Sequence, residues 1–124
     1  MLFRSIFSDS SVDAYSPKVV RSTAGSLWHI PIVEEVSIDQ IRNIAKGNDA
    51  LLFATEANSN KDLLITAKES ADRRCIWIFG NEARGIPDEL EVAKVSIPMN
   101  GKAESLNLAS AASVVMYAVS AAGK

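Results

Sequence analysis

The residues best placed to do chemistry sit in two polar stretches, each following an apolar one directly. Cys75-Ile76-Trp77-Ile78-Phe79 runs without a spacer into Gly80-Asn81-Glu82. Val95-Ser96-Ile97 runs into Pro98-Met99-Asn100-Gly101, with Glu104-Ser105-Leu106-Asn107 shortly after. The apolar runs read as buried strands, so polar side chains at their ends must be hydrogen-bonded or solvated. Two strands that each end in a glycine-containing polar loop make a paired-loop site at the carboxyl edge of a sheet. That is where open α/β sheets bind ligands. Gly80, without a Cβ, lets a ligand approach its backbone; it is equally the glycine of an ordinary turn. Glu104 and Ser105 suit the cap of a following helix. Asn107, just inside that helix, is a mediocre helix former and asks for another reason to be there. Arg84 and Arg21 carry guanidinium groups that suit a phosphate, and each is also an ordinary surface arginine.

Other chemistries find little support. His29 is the only histidine, in a short apolar segment, and reads as structural. No Ser/His/Asp set, metal-ligand cluster or P-loop stands in the chain, so no metal is expected. Asn81, Glu82, Ala83 and Arg84 separate Gly80 from Gly85, which is not the dinucleotide fingerprint.

Composition sets the frame. The 124 residues, 48% hydrophobic and 23% charged, read as one globular domain over 1–124. No apolar run approaches the ~20 residues of a membrane span. The start, Met1-Leu2-Phe3-Arg4-Ser5, lacks a secretory pattern, and a single cysteine, Cys75, cannot form an internal disulfide. A cytoplasmic protein is expected. The net charge of −2 runs against a broad phosphate-binding surface. Arg73 and Arg74 read as solvated charge.

The elements that must position these residues alternate strand and helix. Residues 4–7 read as a short strand. Ser16-Pro17 starts a helix with serine as N-cap and proline first, and Gly25 stops it. Residues 28–33, with Pro31 inside, read as a short strand near an edge. Ser37 and Gln40 have capping-box spacing, followed by Ile38, Ile41, Ile44 and Ala45 at helical period up to Gly47. Residues 50–54 form a continuous apolar run, the mark of a strand covered on both faces. A helix over 60–71 with Leu63, Leu64 and Ala67 on one face follows. After the Cys75 strand come a short helix begun by Pro87, a strand over 94–97 and a long alanine- and serine-rich helix. The expected fold is α/β, a mostly parallel sheet with helices on both faces. The last helix has almost no charge before Lys124, so part of it should pack on the sheet and part on a partner.

Three strings carry a family resemblance: Phe79-Gly80-Asn81-Glu82-Ala83-Arg84-Gly85-Ile86, then Ile97-Pro98-Met99, then Glu104-Ser105-Leu106-Asn107. In that order they resemble the second and third motifs of the SpoU/TrmH family, S-adenosylmethionine-dependent RNA ribose 2′-O-methyltransferases of the SPOUT class. The segment from Ser16 to Gly25 is more loosely similar to the family's pre-strand segment. The resemblance implies a trefoil knot near the carboxyl terminus, where ordinary topology predicts none. It implies S-adenosylmethionine as cofactor, rRNA or tRNA as partner, and a homodimer through the last helix. Thr55, Gly80, Asn81, Ile97, Met99 and Leu106 would then hold the cofactor; Ile97, Met99 and Leu106 also read as core. Glu82, Ser105 and Asn107 would order the loops and the target ribose as the catalytic set, with Arg84 and Arg21 at the target phosphate.

The family's first motif, an asparagine followed by an arginine credited with activating the ribose 2′-hydroxyl, has no counterpart here. Arg4 lacks its surroundings. The chain is therefore expected to be an amino-terminally incomplete methyltransferase domain, with a catalytically incomplete, cofactor- or RNA-binding and dimerising remnant as the alternative.

Overall fold

The computed structural model describes residues 4–80, 85–101 and 106–124. The chain divides into two compact units, 1–44 and 45–124.

In the first unit, β1 (Ser5–Ser8) pairs in parallel with β2 (Ile32–Val36). Between them lies α1 (Pro17–Ser22), with Pro17 at its start and Ser16 Oγ accepting from the Val19 N–H at 3.5 Å. The helix ends before Gly25, because Ala24 (φ 48°) and Gly25 (φ 90°) turn the chain into the left-handed region. Residues 28–33 are not one strand, contrary to expectation. Ser26–His29 form a 3₁₀ turn, and β2 starts only after Pro31, which has no N–H to give a ladder. Its carbonyl still accepts from the Ser5 N–H at 3.1 Å. α2 (Ile38–Gly47) opens on the expected capping box. The Ser37 N–H donates to Gln40 Oε1 at 2.8 Å, and the Gln40 N–H to Ser37 Oγ at 3.2 Å.

The second unit holds a three-stranded parallel sheet, β4-β3-β5, with β3 (Leu51–Thr55) between β4 (Cys75–Ile78) and β5 (Ala93–Val95). Leu51 faces Cys75 and Ala54 faces Ile78; on the other side Phe53 faces Ala93 and Thr55 faces Val95. The apolar run of β3 is thus the central strand, with Phe53 and Ala54 buried. Alternate residues put Phe53 and Val95 on one face. There they pack with Leu63 and Ala67 of α3 (Leu63–Glu69) and Val115 and Ala118 of α4 (Leu108–Ala122). The Phe53 and Trp77 rings lie 4.8 Å apart within this layer.

Two elements of this unit differ from the expectation. α3 starts later than residue 60, because residues 59–63 run along β5 instead. The Ser96 N–H donates to the Lys61 carbonyl at 2.8 Å and the Leu63 N–H to the Ser96 carbonyl at 2.9 Å. Asp62 then caps the helix, its Oδ1 accepting from Leu64 N–H at 2.7 Å and Ile65 N–H at 3.2 Å. Its inner face is Leu63, Thr66 and Ala67, while Leu64 points out. Pro87 begins a turn rather than a helix, closed by the Leu90 N–H on the Pro87 carbonyl at 3.0 Å and anchored by buried Leu90. The trefoil knot is not visible among the described residues.

Candidate functional site

Because all three strands of the second sheet run parallel, their carboxyl ends share one edge. A cavity of about 360 Å³ opens there, near the lower end of the ~300–1,000 Å³ usual for ligand sites. Four segments wall it: Thr55 to Ala57 after β3, Phe79 and Gly80 after β4 with Gly85 and Ile86, Ile97 and Met99 after β5, and Leu106, Leu108 and Ala111 at the head of α4.

Each wall is held by a different device. After β3, the Glu56 N–H donates to the Val95 carbonyl at 3.0 Å, and Ser59 Oγ donates to the Lys94 carbonyl. Glu56 Oε1 also accepts from Lys94 Nζ at 2.8 Å, so this wall is laced to β5 by backbone and side chain together. After β4, Gly80 lies against Gly85 and Ile86. A Cβ placed on Gly80 would stand 2.6 Å from the Gly85 carbonyl carbon, 2.8 Å from its oxygen and 2.8 Å from Ile86 Cγ1. Gly80 is required there by its own loop, and the left-handed turn falls on Gly85 (φ 65°). In the loop before α4, Gly101 (φ 98°) carries the left-handed turn. Asn107 is the N-cap of α4, its Oδ1 accepting from the Ser110 N–H at 2.8 Å.

Two ionisable groups of this sheet are displaced, Cys75 at the amino end of β4 and Lys94 within β5. Burial pushes the Cys75 thiol up from its ordinary value, against a smaller opposing pull from a hydrogen bond to Ser70 and the charge of Arg73. Lys94 is raised by its hydrogen bond and charge contact with Glu56.

Of the residues expected to hold a cofactor, Thr55, Gly80, Ile97, Met99 and Leu106 all line this one cavity. Asn81, Glu82, Arg84 and Ser105 lie outside the described residues. Asn107 sits beside the cavity-lining Leu106 and Leu108 but spends its amide oxygen on the helix cap. Arg21 is exposed in the last turn of α1, in the first unit. Sequence reasoning passed over Glu56, Gly85, Leu108 and Ala111. Glu56 follows the buried strand directly, the same signal that drew attention to Glu82. Leu108 and Ala111 are one helical step apart, at the start of a helix already expected to enter the site.

The fold and site define a class: an α/β protein whose parallel sheet gathers its loops around a ligand cavity at the carboxyl edge. The sequence profile of the SpoU rRNA Methylase family matches residues 3–117, and the chain belongs to that family. It is 31% identical over 120 residues to a 23S rRNA (uridine(2479)-2′-O)-methyltransferase of Streptomyces viridochromogenes, spanning 90% of this chain and 41% of the relative. It is 29% identical over 116 residues to the 23S rRNA (guanosine(2553)-2′-O)-methyltransferase RlmP of Bacillus subtilis, spanning 90% and 45%. Among solved structures, the AdoMet-bound rRNA methyltransferase of Sinorhizobium meliloti superposes with a TM-score of 0.79 at 32% identity, over 92% of this chain and 44% of that one. The chain thus spans less than half the length of these relatives. Among the described residues no helix is long and apolar enough to cross a membrane, and no cluster of His, Cys, Asp or Glu suits a metal ion.

Proposed function

We propose that this chain holds S-adenosylmethionine in the cavity at the sheet edge and serves methyl transfer to a ribose 2′-hydroxyl of rRNA or tRNA. One observation carries the reading: Thr55, Gly80, Ile97, Met99 and Leu106, drawn from four separate segments, meet around a single cavity. The residues fit such a cofactor. Phe79, Ile97, Met99 and Leu106 offer an apolar wall for a purine, while Thr55 and Glu56 supply polar side chains at one side. When bound, the cofactor supplies an electrophilic methyl group on a sulfonium.

The protein's part is to orient. The apolar wall excludes water, and the capped start of α4 sets the direction of the loop carrying Leu106. Asn81 joins the cofactor set, and Glu82 and Ser105 order the loops and the target ribose, with Asn107 contributing through its cap. Arg84 and Arg21 receive phosphates of the RNA. The rate would come from positioning and from lowering the proton affinity of the ribose hydroxyl.

The chain works as one domain over 1–124, in the cytoplasm, and pairs with a second copy through α4. Val114, Met116 and Tyr117 stand exposed on that helix, Tyr117 by 77%, beyond the face that Ala111, Val115 and Ala118 bury. Tyr117→Asp should shift sedimentation toward the monomer. A second reading, a module that binds cofactor or RNA and dimerises without catalysis, draws support from Asn107, whose amide oxygen is committed to the cap. Methyl transfer to RNA by this chain would discard it.

Calorimetric titration with S-adenosylmethionine, S-adenosylhomocysteine and NAD tests the cofactor reading. Binding of the first two and not of NAD is expected. Binding of none sinks it.

A further inference from the structure

We infer that Glu56 recognises the vicinal hydroxyls of the adenosyl ribose, an inference that rests on the cofactor reading above. Among the described residues that line the cavity, Thr55 and Glu56 alone carry polar side chains. Glu56 is held in place twice over: its N–H donates to the Val95 carbonyl at 3.0 Å, and its Oε1 accepts from Lys94 Nζ at 2.8 Å. The second carboxylate oxygen has no partner among the described residues, and the side chain is half exposed at the cavity wall. A carboxylate only accepts hydrogen bonds, so it selects a ligand group that donates.

The charge of the site narrows the choice. Paired with the Lys94 ammonium, Glu56 offers a strong acceptor with little net negative field, which favours hydroxyl donors over a cation such as a sulfonium or an amine. A ribose diol presents two such donors side by side. An acidic residue beyond a parallel strand takes ribose hydroxyls in other nucleotide-binding sheets for the same reason: acceptor lone pairs facing the carboxyl edge. An internal RNA nucleotide has its 3′-oxygen esterified and cannot offer the pair, so the ribose in question is the small ligand's.

The test is calorimetry on the full chain without RNA, comparing S-adenosylhomocysteine with its 2′-deoxy analogue. Wild type should bind the deoxy compound roughly 10- to 100-fold more weakly, the range for a hydrogen bond to a charged acceptor. Glu56→Ala, with folding checked by circular dichroism, should weaken S-adenosylhomocysteine by a similar factor and abolish the difference between the two ligands. Glu56→Gln, which keeps one acceptor oxygen, should recover part of it. Equal binding of both ligands by wild type overturns the inference, as does discrimination that survives in Glu56→Ala. Loss confined to S-adenosylmethionine, with S-adenosylhomocysteine unaffected, overturns it in favour of sulfonium recognition. If wild type binds neither adenosyl ligand, the cofactor reading itself has failed and this inference falls with it.

Discussion

Two of the cavity's walls, those after β3 and β4, are built on opposite principles. The wall after β3 is fastened by hydrogen bonds: Glu56 to Val95, Lys61 and Leu63 to Ser96, and the Glu56–Lys94 ion pair. Each bond tolerates a few tenths of an ångström, and losing one leaves the others in place. The wall after β4 is fastened by exclusion, with Gly80 pressed against the backbone of Gly85 and the side chain of Ile86. Nothing there can yield cheaply, because the obstacle is main chain. A redundant wall degrades gradually and a close-packed one fails at a single methyl group. The difference teaches where this site is fragile.

Breaking the hydrogen-bonded wall outright requires reaching its anchor in the core. Leu63, 1% exposed, joins the end of that wall to Phe53, Val95 and Val115. Leu63→Ala should cost about 2–5 kcal/mol of stability, the range for a buried leucine truncated to leave a cavity. Urea unfolding measures it; a loss under 1 kcal/mol would mean that the wall does not depend on the core as described.

Gly80→Ala tests the other wall. The added methyl meets the Gly85 main chain, so the loop must move, at about 1–3 kcal/mol for an overpacked site. The larger consequence is local: adenosyl-ligand affinity should fall far more than global stability. Unfolding curves and calorimetry on the same sample separate the two. Unchanged affinity would show that the Gly80–Gly85 contact is incidental to the cavity.

What could be read in the chain beforehand follows the range of the interaction. Ser16-Pro17 and the Ser37–Gln40 box were legible because cap and partner sit three residues apart. The apolar run at 50–54 announced a strand with no polar face to show, and that strand lies in the middle of the three-stranded sheet. The start of α3 was not legible. Residues 59–63 leave the helical pattern to bond with Ser96, which lies more than thirty positions away. The same distance hid Glu56, whose partner Lys94 is 38 residues on, so no spacing in the sequence ties the two together. Gly80 was read as a point where a ligand could approach or as a turn glycine; the groups pressed against it are the main chain of Gly85 and the side chain of Ile86, which no local spacing announces. Asn107 looked out of place only while it was counted inside the helix. One position earlier, as N-cap, it is among the best residues the chain can use.

Asn107 offers the next finer probe of the same contrast, because it controls the wall formed by the head of α4. Asn107→Ala removes the acceptor for the Ser110 N–H and should cost about 1 kcal/mol. Asn107→Asp should retain stability, since a carboxylate caps equally well and favours the helix amino terminus. If methyl transfer falls in both variants while stability falls only in the first, the amide does more than cap.

The smallest effect should come from the Glu56–Lys94 pair, and its pH dependence has a definite sign. Lys94 is raised from 10.5 by its contact with Glu56, so the folded state binds the lysine proton more tightly than the unfolded chain. That contribution is complete below the ordinary lysine pKa and disappears as the pH climbs through the raised one. Both partners are close to half exposed and screened by water, so Lys94→Met should leave the unfolding midpoint nearly unchanged at neutral pH. Any difference from wild type should be flat between about pH 6 and pH 9, closing only as the pH climbs through the raised lysine value. A difference that instead changes between pH 6 and pH 9 would place another titrating group in contact with the pair. The bonded wall would then depend on charge as well as on its backbone lacing.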